Sequence, residues 1–357
     1  MSIKTIRLYS SFRNWLTLSL AGLSLLLFGV IGINYFFDPL WVFNNFPTPY
    51  KHEFDERAQK TNLLLHNKIF FDGILLGSSR STYIPIQDFL GEKIFNYSVA
   101  ALNPFEYSGF IENAKTIHKG ELKTILLGLD FFSYFTASNP NKQAFIYLQE
   151  SSESLYAFKQ LLSLDSLKYS KKNFSIEELS NERLYDNFYQ ATTRKRSLLE
   201  AQQNIIQSVN LYKQEFYAQK TPLSSYRALF TQLKEGNPSS KFVVFTTPET
   251  SALFRVMQEQ GMYSQYEEWL RVLVSIFGEI YHFHYINPIT LNHEENFYDG
   301  HHFYPHIGQA IINTLICHQS KSPCKANFGL KITKENIDAQ LEHLQQLNNH
   351  QRVESAF

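Results

Sequence analysis

The chain has 357 residues, room for one large or two small globular domains, and its 44% hydrophobic and 18% charged content excludes wholesale disorder. Lysine plus arginine equals aspartate plus glutamate at 33 each, so no basic surface announces nucleic acid and no such partner is expected. Aromatic residues are abundant, with 31 Phe and 21 Tyr, which suits a large core and can also line an acyl or carbohydrate groove.

The first element is the most explicit. Asn14 to Phe37 is a run of 24 residues without a charge, rich in leucine. As a helix it reaches about 36 Å, enough to cross a hydrocarbon core of about 30 Å. Lys4, Arg7 and Arg13 precede it and Asp38 follows. Positive residues stay on the cytoplasmic side, so residues 1–13 are expected inside and the bulk of the chain outside the cytoplasm. A cleaved signal peptide is the competing reading. Against it, the run exceeds the usual signal core, no clear small-x-small site precedes Asp38, and Trp15 and Tyr35 suit two membrane interfaces.

Residues 38–71 read as a connector, with Pro39, Pro47 and Pro49 before a helical run from Glu53 to Leu65. Asp72-Gly-Ile-Leu-Leu-Gly-Ser-Ser then has the form of a buried parallel strand ending in small residues. A second strand is expected at Lys93 to Tyr97, a helix at Phe105 to Lys119, and a third, buried strand at Leu122 to Leu129. From about 136 to 226 polar stretches alternate with apolar positions at helical spacing, such as Leu155, Phe158, Leu161 and Leu162, which predicts a helical insertion. Strands return at Lys241 to Thr247 and Ile280 to Ile286. Strands separated by helices imply a three-layer α/β/α sandwich around a mostly parallel, five-stranded sheet, spanning residues 72–328. The tail, residues 329–357, carries Ile337, Leu341, Leu344 and Leu347 on one helical stripe, which predicts docking on the body. Cys317 and Cys324 are the only cysteines; outside the cytoplasm they are disulfide candidates, with two free thiols as the alternative.

In open α/β sheets ligands bind beyond the carboxyl ends of the strands, and three of these strands end in polar residues. The first ends Gly77-Ser78-Ser79-Arg80-Ser81, placing a hydroxyl at a strand-to-helix turn near amides able to stabilise an oxyanion. Ser79 could equally cap the helix. The third ends Gly128-Leu129-Asp130, where an aspartate is ordinary turn chemistry. Near the C-terminus, Tyr298-Asp299-Gly300-His301-His302-Phe303-Tyr304-Pro305 offers Asp-x-x-His just before an apolar helix. A serine needs a base, and the base needs a carboxylate to fix its tautomer; one tetrapeptide supplies both. His301 and His306 beside His302 and Asp299 also suggest a metal, but so short a segment rarely closes a site, and neither metal nor cofactor is expected. Glu249, after Thr246-Thr247-Pro248, reads as a loop residue.

Gly-x-Ser after an early strand, Gly-x-Asp after a middle one and Asp-x-x-His before the final helix together resemble the SGNH (GDSL-like) hydrolase superfamily over about residues 72–316. The resemblance implies a flavodoxin-like sandwich and a serine esterase or O-acyltransferase with Ser79 as nucleophile, His302 as base and Asp299 as orienter. Two positions depart from the family. Ser98, in Asn96-Tyr97-Ser98, stands where a glycine amide is expected, and Asp130 stands where an asparagine amide normally donates to the oxyanion. Arg80 is the candidate substitute donor. The blocks Leu-Gly-Ser-Ser-Arg-Ser, Asn-Tyr-Ser and Leu-Gly-Leu-Asp-Phe-Phe are most similar to a membrane-anchored bacterial subgroup, broadly like the accessory proteins that work beside membrane-bound O-acyltransferases in alginate acetylation or teichoic-acid D-alanylation. That similarity implies an inner-membrane anchor, a periplasmic or extracytoplasmic body, an acylated cell-envelope polysaccharide as substrate and a membrane-bound O-acyltransferase as partner. A catalytically degenerate glycan-binding or scaffolding protein is the alternative, favoured by Asp130 and Ser98.

Overall fold

The computed structural model describes residues 3–135, 144–174, 183–218, 221–320 and 327–354. Its strands are, in chain order, β1 (Lys51–His52), β2 (Gly73–Gly77), β3 (Asp88–Phe89), β4 (Glu92–Asn96), β5 (Thr124–Leu129), β6 (Leu184–Tyr185), β7 (Ala191–Thr192), β8 (Lys241–Thr246), β9 (Glu279–His282) and β10 (Leu330–Thr333). Seven of them form the central sheet in the order β10-β9-β8-β5-β2-β4-β3. The strands from β9 to β4 run parallel to their neighbours, while β3 and β10 are antiparallel edges.

The sheet is therefore wider than the five strands expected from the sequence. Both additions are short. Leu90 and Gly91 both have positive φ, the geometry of a tight hairpin turn, and fold β3 back on β4 within four residues. Neither β3 nor β10 is long enough to show a period of two.

Every residue of β2 and β5 is buried, which explains their unbroken apolar runs. Ile74, Leu76, Ile125 and Leu127 face one apolar cluster, shared with the helices Tyr107–His118, Tyr226–Glu235 and Tyr263–Phe277. Leu75 and Leu126 face the other, shared with the helix Pro305–Gln319. The tail helix Ile337–Glu354 docks on the first cluster through Ile337, Leu341 and Leu344, with Leu347 packed against it. Cys317 is disulfide-bonded; Cys324, the other half of the expected pair, lies outside the described residues.

The insertion contains the helices Ala144–Ser151, Tyr156–Leu162, Leu164–Phe174 and Leu198–Leu211, and also β6 and β7, which join β1 in a separate three-stranded antiparallel sheet. Strands of two residues carry no sequence signature, so this sheet was not foreseeable.

The first helix spans Ile3–Phe37, and its 26-residue stretch Phe12–Phe37, whose most apolar 18 residues have a mean hydropathy of 2.3, is long and apolar enough to cross a membrane. Its last turn is tied to the insertion. Asn34, only 2% exposed, donates to the carbonyls of Gln160, Leu161 and Ser163 at 3.3, 3.0 and 3.0 Å, and accepts from the Ser170 hydroxyl. It thus satisfies carbonyls left open at the end of the helix Tyr156–Leu162.

Candidate active site

The site begins where β2 meets the short helix Ser79–Thr82. Gly77 and Gly128 pair across β2 and β5, and the side chain of Ser81 lies over both. A methyl group at Gly77 would come within 2.1 Å of Ser81 Oγ, and one at Gly128 within 2.2 Å. The two glycines let the helix sit directly on the strand ends. Ser78 caps that helix, its hydroxyl accepting from the Arg80 amide, which leaves Ser79 at the first helical position, half-buried.

Asp299 and His302 arrive on the loop before the helix Pro305–Gln319. Phe297 and Phe303, both fully buried, bridge across the base of the loop and anchor it in the second cluster. Gly300 fixes its tip: its carbonyl accepts from Thr250, its amide donates to Ser208 Oγ, and a Cβ there would meet Ser208 at 2.5 Å.

Ser79 Oγ lies 2.7 Å from His302 Nε2, and His302 Nδ1 lies 2.8 Å from Asp299 Oδ2. The other carboxylate oxygen accepts from the backbone amides of His301 and His302 at 2.8 and 2.7 Å. The Tyr298 ring lies parallel to the imidazole, with 4° between planes, and the His301 ring is 4.1 Å away. Burial pushes the Asp299 carboxyl up, but His301, His302 and their hydrogen bonds outweigh it and hold it well below the carboxylate range. An ionised Asp299 keeps a proton on Nδ1 and leaves Nε2 to accept from the serine. Burial drives His301 the other way, down to about 3, against the pull of Asp299, so that ring is neutral near pH 7.

The remaining sequence candidates lie elsewhere in the hydrogen-bond network. Ser98 is buried; its amide donates to Asn96 Oδ1, its hydroxyl to the Leu75 carbonyl, and its own carbonyl accepts from Lys60. Arg80 points into the protein. Its guanidinium is 3.4 Å from Asp130, 3.2 Å from Glu249 and 2.7 Å from the Tyr212 hydroxyl. Asp130 also accepts from the Thr247 hydroxyl. All three, proposed from the sequence as oxyanion or substrate contacts, are bound to protein partners in this structure. Ser79's own amide, first in its helix, has no acceptor one turn back within that helix.

Glu249 is no loop ornament. It is buried and receives Arg80, Tyr217 (3.0 Å) and His284 (2.9 Å). Burial raises its carboxyl, but His284 and Arg80 pull it down to about 2. Its position at the carboxyl end of β8, beside Asp130 at the end of β5, was the available signal, but nothing in Thr-Thr-Pro-Glu names its partners.

Asp299, His301 and His302 bring potential ligand atoms within 4.8 Å of one another, whereas His306 turns to Asn296. Both His302 nitrogens and both Asp299 oxygens are already engaged by the serine, the ring and two amides. The donor set fits a proton relay better than a metal shell. Fold and site together define a class: a mostly parallel α/β protein with a Ser–His–Asp chain at the carboxyl edge of its sheet. The chain matches no protein-family model, no curated protein and no solved structure.

Proposed function

We propose that this protein is a membrane-anchored serine esterase or O-acyltransferase of the SGNH type, acting outside the cytoplasm on acylated cell-envelope glycans. The observation that carries the reading is the unbroken hydrogen-bond chain from Ser79 through His302 to Asp299. The parallel strands lie in the order β4-β2-β5-β8-β9, which supports a flavodoxin-like layout with its switch point between β2 and β5. Ser79 follows β2, and ligands of such sheets bind there.

In the proposed cycle Ser79 Oγ attacks the acyl carbonyl while its proton passes to His302 Nε2. The C–O bond to the leaving alcohol breaks as that alcohol takes the proton, giving an acyl-serine. His302 then deprotonates water or a glycan hydroxyl, which attacks and releases Ser79. Asp299 remains ionised throughout, and the Ser79 amide donates to the oxyanion. The apolar run from Asn14, with Lys4, Arg7 and Arg13 on its N-terminal side, supports an inner-membrane anchor with the body outside; the proposed partner there is a membrane-bound O-acyltransferase.

A second reading, a non-catalytic glycan-binding protein on the same fold, is favoured by one observation: Asp130 and Ser98 are both held by protein partners. Labelling of the detergent-solubilised chain with a fluorophosphonate separates the two, together with p-nitrophenyl acetate hydrolysis. The enzyme reading expects labelling that disappears in Ser79→Ala and hydrolysis lost in His302→Ala. Equal labelling of wild type and Ser79→Ala removes Ser79 as nucleophile, and no labelling at all supports the binding protein.

A further inference from the structure

The helix Leu164–Phe174 buries an uncharged polar face. At about 100° per residue, Ser166, Ser170 and Asn173 share one face; Phe174 and Leu167 flank it, followed around the helix by Lys171, Leu164, Lys168 and Lys172. The face turned into the protein is the polar one: Ser166, Ser170 and Asn173 are all buried. Each is used there. Ser166 bonds to Gln160, Ser170 to Asn34, and Asn173 accepts from the His52 amide. Leu164 and Phe174 face out, 68% and 76% exposed, among the exposed Lys168, Lys171 and Lys172, while Leu167 is half-buried. A surface helix in water turns such leucine and phenylalanine side chains toward the core.

The outward side is continuous with the apolar N-terminal helix. Ile33, Phe36 and Phe37 of that helix and Leu167 and Phe174 line one groove of about 730 Å³, and the Phe37 and Phe174 rings meet edge to face at 5.9 Å. On the neighbouring helix Tyr156–Leu162 and its approach, Phe158 and Leu155 are exposed as well. Lys168, Lys171 and Lys172 stand on the exposed side beside Leu164, Lys168 paired with Asp165 and Lys172 over the Phe54 ring. Apolar side chains pointing outward beside flanking lysines are the composition of a helix lying in a membrane interface, where the lysine stems lie along apolar surface and the amines reach phosphates.

We infer that Leu164–Phe174 lies in the headgroup layer of the membrane entered by the N-terminal helix, with Leu164, Leu167 and Phe174 against acyl chains and the lysines against anionic headgroups. The occupant of this face is an anionic lipid surface. The inference does not depend on the serine chemistry.

The test places a nitroxide at Leu164→Cys or Phe174→Cys in the full chain, reconstituted alone in nanodiscs of phosphatidylglycerol and phosphatidylethanolamine. Glu259→Cys, exposed on a distant helix, is the aqueous control. Power saturation compares contact with oxygen, which enters lipid, and with a nickel chelate, which does not. The expected result is an oxygen-to-nickel ratio several-fold higher at 164 and 174 than at 259, falling when Lys168 and Lys171 are both changed to glutamate. Water-like ratios at 164 and 174 overturn the inference, and are also what a protein rather than a lipid partner for this face would give in these partner-free discs. Should one labelled variant fail to fold, the other reads the same side independently.

Discussion

Replacing Asp299 by asparagine tests the proposed relay with almost no change of shape. The structure dictates how the amide must sit. Asp299 Oδ1 accepts the backbone N–H groups of His301 and His302, and neither can face an amide NH2. The amide oxygen therefore takes that place, and its NH2 turns toward His302 Nδ1, 2.8 Å from the present Oδ2. That nitrogen must then accept, so the ring proton moves to Nε2, facing Ser79 Oγ. A protonated Nε2 cannot take the serine's proton. The wrong tautomer in a Ser–His–Asp arrangement costs about 10⁴ in rate, or about 5 kcal/mol of barrier. Fluorophosphonate labelling of Asp299→Asn should slow by that factor, and ¹⁵N NMR of the imidazole should report an Nε2–H. The NMR arm reads the tautomer even where turnover is low. Labelling within about tenfold of wild type, or a retained Nδ1–H, refutes the reasoning.

Arg80→Met strands Asp130 and Glu249 without their shared cation, so chemical denaturation should show a loss of about 3–5 kcal/mol, the usual result of breaking a buried ion cluster. If Arg80→Met instead loses activity at unchanged stability, Arg80 acts on substrate. Gly77→Ala drives a methyl into Ser81 and should cost about 1–3 kcal/mol in denaturation, with slower labelling of the displaced Ser79. Between pH 6.5 and about 3 the unfolded chain protonates His301 while the folded chain does not, so stability falls as pH falls through that window. Glu249, ordinarily near 4.5 and about 2 when folded, adds stability that is complete above 4.5 and lost as pH drops toward 2. Denaturation midpoints measured from pH 7 to 4 should therefore decline, and His301→Phe, which keeps the ring packed, should flatten the upper part of that decline. An unchanged slope counts against a neutral, buried His301.

The parallel strands were legible because burial on both faces leaves continuous apolar runs, as in Gly73–Gly77 and Thr124–Leu129. Ser79, Asp299 and His302 were legible because each stands at a junction between elements, where a polar residue among small or apolar neighbours has few other tasks. The rest depended on what lies across the fold. Arg80 looks like a surface residue until two carboxylates from β5 and the loop after β8 converge on it. Glu249 follows the same logic. The insertion's apolar spacing predicts helices, but periodicity identifies a face without saying what covers it, and Leu155 and Phe158 are exposed. The edge strands are too short to have a period.

Asn34 has a mechanical consequence. A domain on a flexible leash explores a volume, and its encounter rate with a fixed target follows from leash length. Here four hydrogen bonds from one side chain splice the last turn of the apolar helix to the insertion, so the leash has almost no slack. With that helix set in a bilayer, Ser79 is held at one height above it. On the proposed function, selection would then go by altitude as well as by chemistry: an acyl donor or acceptor would be in range only where it crosses the plane of the serine.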